Sequence, residues 1–144
     1  AKKMFGVFEH DNLCPNHPLM RGFDERFLVP HSRYTEVRRE EIDSCADLIL
    51  LAHSDVAGVY IAASRDNRHF FITGHSEYDR FTLADEYKRD IDKGLDIDVP
   101  VNYFPYDDPS LTPPHLWRSH GHLLYVNWLN YFVYQETPFD LSKM

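Results

Sequence analysis

Short apolar runs separated by breaker-rich spacers fill the first half of the chain, and helical periodicity appears only in the second. Phe5-Gly6-Val7-Phe8 predicts a strand, and Arg26 to Ser32 another, ending in Pro30-His31-Ser32-Arg33. Pro15, Pro18 and Gly22 place a loop between them. Three further runs follow, Leu48 to Ala52, Val59 to Ala63 and His69 to Thr73, divided by Ser54-Asp55 and by Arg65-Asp66-Asn67-Arg68. The second spacer has hairpin composition, so these runs predict adjacent strands with at least one antiparallel pair.

Thr82-Leu83-Ala84-Asp85 has the pattern of a capping box, and Leu83, Tyr87 and Ile91 fall on one stripe of a helix that stops at Gly94. Residues 96–115, punctuated by Pro105, Pro109, Pro113 and Pro114, predict a long irregular connection. Leu116 to Tyr134 carries apolar residues at 117, 124, 128, 131 and 132, which predicts a helix that is apolar nearly all round and largely buried. No internal repeat or interdomain linker interrupts the pattern, so residues 1–144 are expected to form one domain or a large piece of one.

Composition narrows the function. With 43% hydrophobic and 15% aromatic residues the chain can build a core. Its net charge of -8, with Lys and Arg scattered among acids, argues against nucleic acid. No apolar stretch approaches the roughly 18 residues of a membrane span, and no leader pattern opens the chain. Two cysteines, Cys14 and Cys45, build no disulfide framework. The chain is therefore expected to be soluble and cytoplasmic.

The richest chemistry lies in Gly74-His-Ser-Glu-Tyr-Asp79, directly after an apolar run. A histidine at a strand end can face a cleft, and a carboxylate two residues on can hold its far nitrogen, as a general base requires. The same pair is equally compatible with a surface His beside an unrelated Glu. Pro30-His31-Ser32-Arg33 offers a hydroxyl and a guanidinium that could line a pocket for an anionic or amino-acid substrate, or simply form a turn. Arg89 lies almost opposite the Leu83-Tyr87-Ile91 stripe, either as a solvated residue or as a carboxylate or phosphate clamp. His120-Gly-His122 lacks the spacing and the companions of a metal site, so no metal is expected. Neither cysteine follows a strand as a nucleophile elbow demands.

Six strings carry a resemblance: Asn16-His-Pro-Leu-Met-Arg-Gly-Phe-Asp24, Pro30-His-Ser-Arg-Tyr34, Gly74-His-Ser-Glu-Tyr-Asp79, Asn102-Tyr-Phe-Pro105, Trp117-Arg-Ser-His-Gly121 and Asn127-Trp-Leu-Asn-Tyr131. In this order, and across essentially the whole chain, they resemble motifs of the homoserine O-succinyltransferase and O-acetyltransferase family of methionine biosynthesis. The resemblance implies an α/β fold, the C-terminal part of a class I glutamine amidotransferase-like (flavodoxin-like) sandwich. It implies a Cys-His-Glu triad that moves an acyl group from coenzyme A to the hydroxyl of L-homoserine by a ping-pong route. Carried over by motif, His75 is the base and Glu77 its partner. Arg89 resembles the arginine for the substrate carboxylate, Ser32 a pocket hydroxyl, and Lys3 a lysine near the acyl and homoserine site.

The family's nucleophilic cysteine would lie upstream of the segment that matches residue 1, so the chain is expected to be an inactive portion of the enzyme when alone. Implied ligands are homoserine and acyl-coenzyme A as co-substrate, with no permanently bound cofactor and no nucleic acid or membrane partner. Unpaired strand edges predict a homo-oligomer. Two other classes remain open: a noncatalytic truncated homologue that binds an amino-acid ligand or a partner chain, and an amidotransferase-type hydrolase. The donor, succinyl or acetyl, and the acceptor, homoserine or serine, are left open by the residues.

Overall fold

The computed structural model describes residues 2–138 and 140–143. It shows five strands, β1 (Met4–Asn12), β2 (Arg26–Arg33), β3 (Leu48–Ser54), β4 (Gly58–Ser64) and β5 (Phe70–Ile72), in one sheet of order β2-β1-β3-β4-β5. Among the described residues three α-helices accompany them, α1 (Arg39–Asp43), α2 (Thr82–Asp92) and α3 (Arg118–Trp128), so the class mixes α and β as the family resemblance implies. All named strand pairings are antiparallel. The predicted β3-β4-β5 meander is present, and its second turn seats Asn67 at φ 58°, a left-handed conformation that asparagine tolerates. None of the described helices is long and apolar enough to cross a membrane.

The interior strand β4, flanked by β3 and β5, is buried at every position from Gly58 to Ala63, which explains its uninterrupted apolar sequence. Between β1 and β3 the sheet nearly parts, with pairing only at Asp11↔His53 and Asn12↔Ala52. Val101 fills the gap: Val7 N donates to its carbonyl at 2.8 Å and its own N donates to Phe5 O at 3.0 Å. The irregular 96–115 connection thus stitches β1 in place. Proline is tolerated in β2 because this is an edge strand, and the Pro30 carbonyl accepts the amide of His75 at 2.9 Å.

Two helix expectations need correction. The residue preceding α2 is Phe81, with no side-chain cap; Asp79 instead accepts from the Phe81 amide at 3.0 Å, so Thr82 lies inside the first turn and the capping box does not form. The predicted 116–134 helix divides into α3 and a π-helical segment, Leu129–Val133. It is buried along one stripe only, through Trp117, Gly121, Leu124 and Asn127, while Tyr125, Trp128 and Tyr134 remain exposed. One helix packed on one side of a sheet can bury one face, whatever the apolar content of the other. The five-residue α1 starts where Glu41 accepts from the Arg38 amide at 3.1 Å.

Candidate functional site

His75 stands in the loop after β5, and several elements converge to fix that loop. Its amide is bound to Pro30 of β2, and its carbonyl accepts from Tyr78 N at 3.1 Å. Gly74 is packed so closely that a Cβ there would lie 2.6 Å from Val29 Cγ1. A Cβ on Gly121 of α3 would lie 2.6 Å from the Ser76 carbonyl oxygen. The Tyr60 hydroxyl meets Ser76 Oγ, and Trp117 Nε1 donates to Tyr78 O at 2.9 Å. Two glycines, a tyrosine and a tryptophan therefore hold the Gly74–Tyr78 loop to β2, β4 and α3.

The His75 side chain, partly exposed, is hydrogen-bonded through Nδ1 to Glu77 Oε1 at 2.9 Å. With Nδ1–H donating to the carboxylate, Nε2 is left as an acceptor facing outward from the pair. The ring stacks on Tyr78 with centroids 4.4 Å apart and an interplanar angle of 10°.

Tyr78 leads into a polar cluster on α2. Its hydroxyl donates to Glu86 Oε1 at 2.9 Å, and Glu86 Oε2 accepts from Ser32 Oγ at 2.5 Å and Lys3 Nζ at 3.4 Å. Burial alone would push the Glu86 carboxyl up, but the bonds from Ser32 and Tyr78 and the charge of Lys3 outweigh it and hold it below its ordinary value. Lys3 Nζ also reaches Asp90 at 3.2 Å, and Arg89 donates to Asp90 at 2.8 Å. The Asp90 carboxyl is lowered chiefly by the Arg89 hydrogen bond. The Tyr78 hydroxyl is pushed up by burial and by its bond to Glu86, so it stays a donor.

Comparison with known proteins gives this geometry a lineage. The family model for homoserine O-succinyltransferase matches residues 1–139. The chain belongs to the homoserine O-succinyltransferase family. It is 59% identical over 142 residues to a homoserine O-acetyltransferase of Brevibacillus brevis, covering 99% of this chain and 46% of that one. It is 55% identical over 141 residues to a homoserine O-succinyltransferase of Aliivibrio fischeri, covering 98% and 45%. The chain thus spans about half the length of the curated relatives it matches. Among solved structures, SMU.1228c overlays 88% of this chain and 51% of its own at TM-score 0.58 and 15% identity, which shows a shared fold.

Within this family member the five residues carried over by motif fall into one connected set. His75 and Glu77 form one end; Lys3, Ser32 and Arg89 surround the acidic pair Glu86 and Asp90 at the other. Lys3 and not Lys2 enters the cluster: the Lys3 side chain is 8% exposed, whereas that of Lys2 is 82% exposed and pairs with Asp98. Arg33, taken with Ser32 as a pocket candidate, is turned inward to the carbonyls of Thr35 and Ala57 and to His31. The sequence reading missed Glu86, Asp90 and Tyr78. A signal existed, because Glu86 and Asp90 share a helical face with Leu83 at spacings of three and seven, where an acid must have a partner.

Neither cysteine is a hydrogen-bond partner of His75. Cys14 Sγ donates to Leu50 O at 3.4 Å, and burial pushes its thiol up, the reverse of what a nucleophile needs. Cys45 is exposed beyond the end of α1.

Proposed function

We propose that the chain supplies the base and the amino-acid-binding side of a homoserine O-acyltransferase, with acyl-coenzyme A as donor. The observation that carries this reading is the unbroken path of contacts from the His75–Glu77 pair through Tyr78 to the Lys3, Ser32, Glu86, Asp90 and Arg89 cluster, in a member of this family. In this reading the base lies at one end of a set of charges of both signs, which suit the ammonium and carboxylate of an amino acid.

In this reading His75 Nε2 takes the proton of a cysteine thiol supplied from outside the described residues. The thiolate attacks the thioester carbon, the C–S bond to coenzyme A breaks, and the leaving thiolate takes the proton from imidazolium. Homoserine then binds with its carboxylate on Arg89, which is 53% exposed and keeps N–H donors beyond those given to Asp90. Its hydroxyl passes a proton to His75 as the oxygen attacks the acyl-enzyme, and the cysteine sulfur leaves. Glu77 holds the ring in the tautomer that keeps Nε2 free and stabilises the transient imidazolium.

The test is a chimera in which these 144 residues replace the matching region of the Brevibacillus brevis relative, the rest of that enzyme being left in place. Acyl transfer from acetyl- or succinyl-coenzyme A to homoserine supports the reading. A folded chimera that transfers neither group overturns it.

A further inference from the structure

His31 and His10 are two fully buried imidazoles that the proposed mechanism leaves unused. They lie side by side on paired strands, centroids 5.0 Å apart and nearly parallel, with Nε2 to Nε2 at 3.1 Å. The surrounding partners determine which nitrogen carries each proton. His10 Nδ1 faces the Phe8 carbonyl at 2.9 Å and must donate to it, so its Nε2 is an acceptor. His31 Nε2 must then donate to His10, which leaves His31 Nδ1 to accept from Arg33 Nε at 3.3 Å. Every ring nitrogen is used once and both rings are neutral.

His31 is also the surface on which the His75 loop rests. The ideal Cβ of Gly74 lies 3.0 Å from His31 Cε1 and 3.0 Å from Tyr60 Cδ2, so the Gly74 backbone is pressed against both rings. The residue before His31, Pro30, accepts the His75 amide. Tyr60, in edge contact with His31, meets Ser76.

We propose that His31, held by His10 and Arg33, is a positioning residue for His75: the neutral pair fixes the height and tilt of the Gly74–Ser76 backbone and thereby the direction of the His75 imidazole. This rests on the reading of His75 as the base. The groups facing the pair from the packed elements are His53 and Asp11 near His10, and Arg33, Tyr60 and His75 near His31. Among the described residues no carboxylate contacts the His31 ring to support a positive charge there. Burial accordingly lowers both rings from their ordinary value, with further lowering by Arg33.

Nitrogen NMR on the 144-residue chain tests the positioning without requiring catalysis, so its failure and that of the proposed function are separable. In the native chain His10 should be protonated at Nδ1 only and His31 at Nε2 only from pH 6 to 8. A mixed tautomer or an imidazolium at either ring overturns the proposal. His31→Gln can donate to His10 and accept from Arg33, whereas His31→Leu can do neither. In the leucine variant the His75 amide should exchange at least about tenfold faster and His75 should lose its single tautomer, with amides in α1 unchanged; glutamine should restore both. Equal acceleration of all amides, no change at His75, or a glutamine variant as impaired as the leucine one contradicts the proposal.

Discussion

At the residue scale the proposed function turns on His75 as the base, held by Glu77 and stacked on Tyr78. In the chimera, His75→Ala should cost on the order of a millionfold in kcat, as expected when one member of a nucleophilic unit is lost. Glu77→Gln should cost less, about a hundred- to ten-thousandfold, because Glu77 orients the ring and takes no proton. Arg89→Lys should act mainly on homoserine KM, since an ammonium cannot reproduce the guanidinium's planar donor pair. Steady-state kinetics with homoserine varied at saturating donor separates the three. His75 and Glu77 were legible because they are two residues apart and meet within one loop. Lys3 became legible only through family motifs, and Ser32 was a possible pocket hydroxyl without a known partner, since they join Glu86 across 83 and 54 residues of chain. No local pattern encodes such a contact.

At the element scale, what matters is how tightly α3 and β2 hold the His75 loop. Gly121→Ala would place a methyl group 2.6 Å from the Ser76 carbonyl oxygen. Overpacking of this kind costs about 1–3 kcal/mol, against which alanine returns about 1 kcal/mol of helix propensity; a clash with backbone lies at the upper end of the range, so the net effect is a loss of up to about 2 kcal/mol. Urea denaturation should show a lower midpoint with an unchanged slope, and the variant chimera should lose activity beyond what its stability loss explains. Strands were read well because the meander is local and its turns carry Asp, Asn and Gly. The extent of α3 burial was misread because composition counts apolar residues on all sides of a helix, while packing selects one stripe. The cap of α2 was misread because backbone carbonyls take the two amides the box would use: Thr82 N donates to Asp79 O at 3.3 Å and Asp85 N to Phe81 O at 2.9 Å.

At the scale of the whole molecule two properties follow. His10 and His31 have lowered values in the folded chain, His10 down to about 4, so the unfolded chain binds more protons below the ordinary value of about 6.5. Stability should therefore fall as pH drops from about 6.5, by about 1.4 kcal/mol per pH unit for each ring, continuing to about pH 4 for His10 and lower for His31. The lowered carboxyl of Glu86 acts in the same direction at lower pH, since its contribution is lost as pH falls through its folded value. Urea midpoints between pH 7 and pH 4.5 measure the slope; a flat profile would contradict the neutral pair. The second property is association. Phe71, Ile72, Tyr125 and Trp128 are exposed around an apolar groove between β5 and α3, and β5 is an open edge. Sedimentation velocity at low micromolar concentration should show species larger than a monomer, and a single monomer boundary would contradict the expectation. The central claim, that His75 activates a thiol for acyl transfer to homoserine, is tested most directly by intact-mass measurement of the chimera after mixing with acyl-coenzyme A alone. The account predicts one acyl group added to the chimera and discharged by homoserine, with none added to the His75→Ala form in the same time. Acylation of the His75→Ala form at the unmodified rate would contradict it.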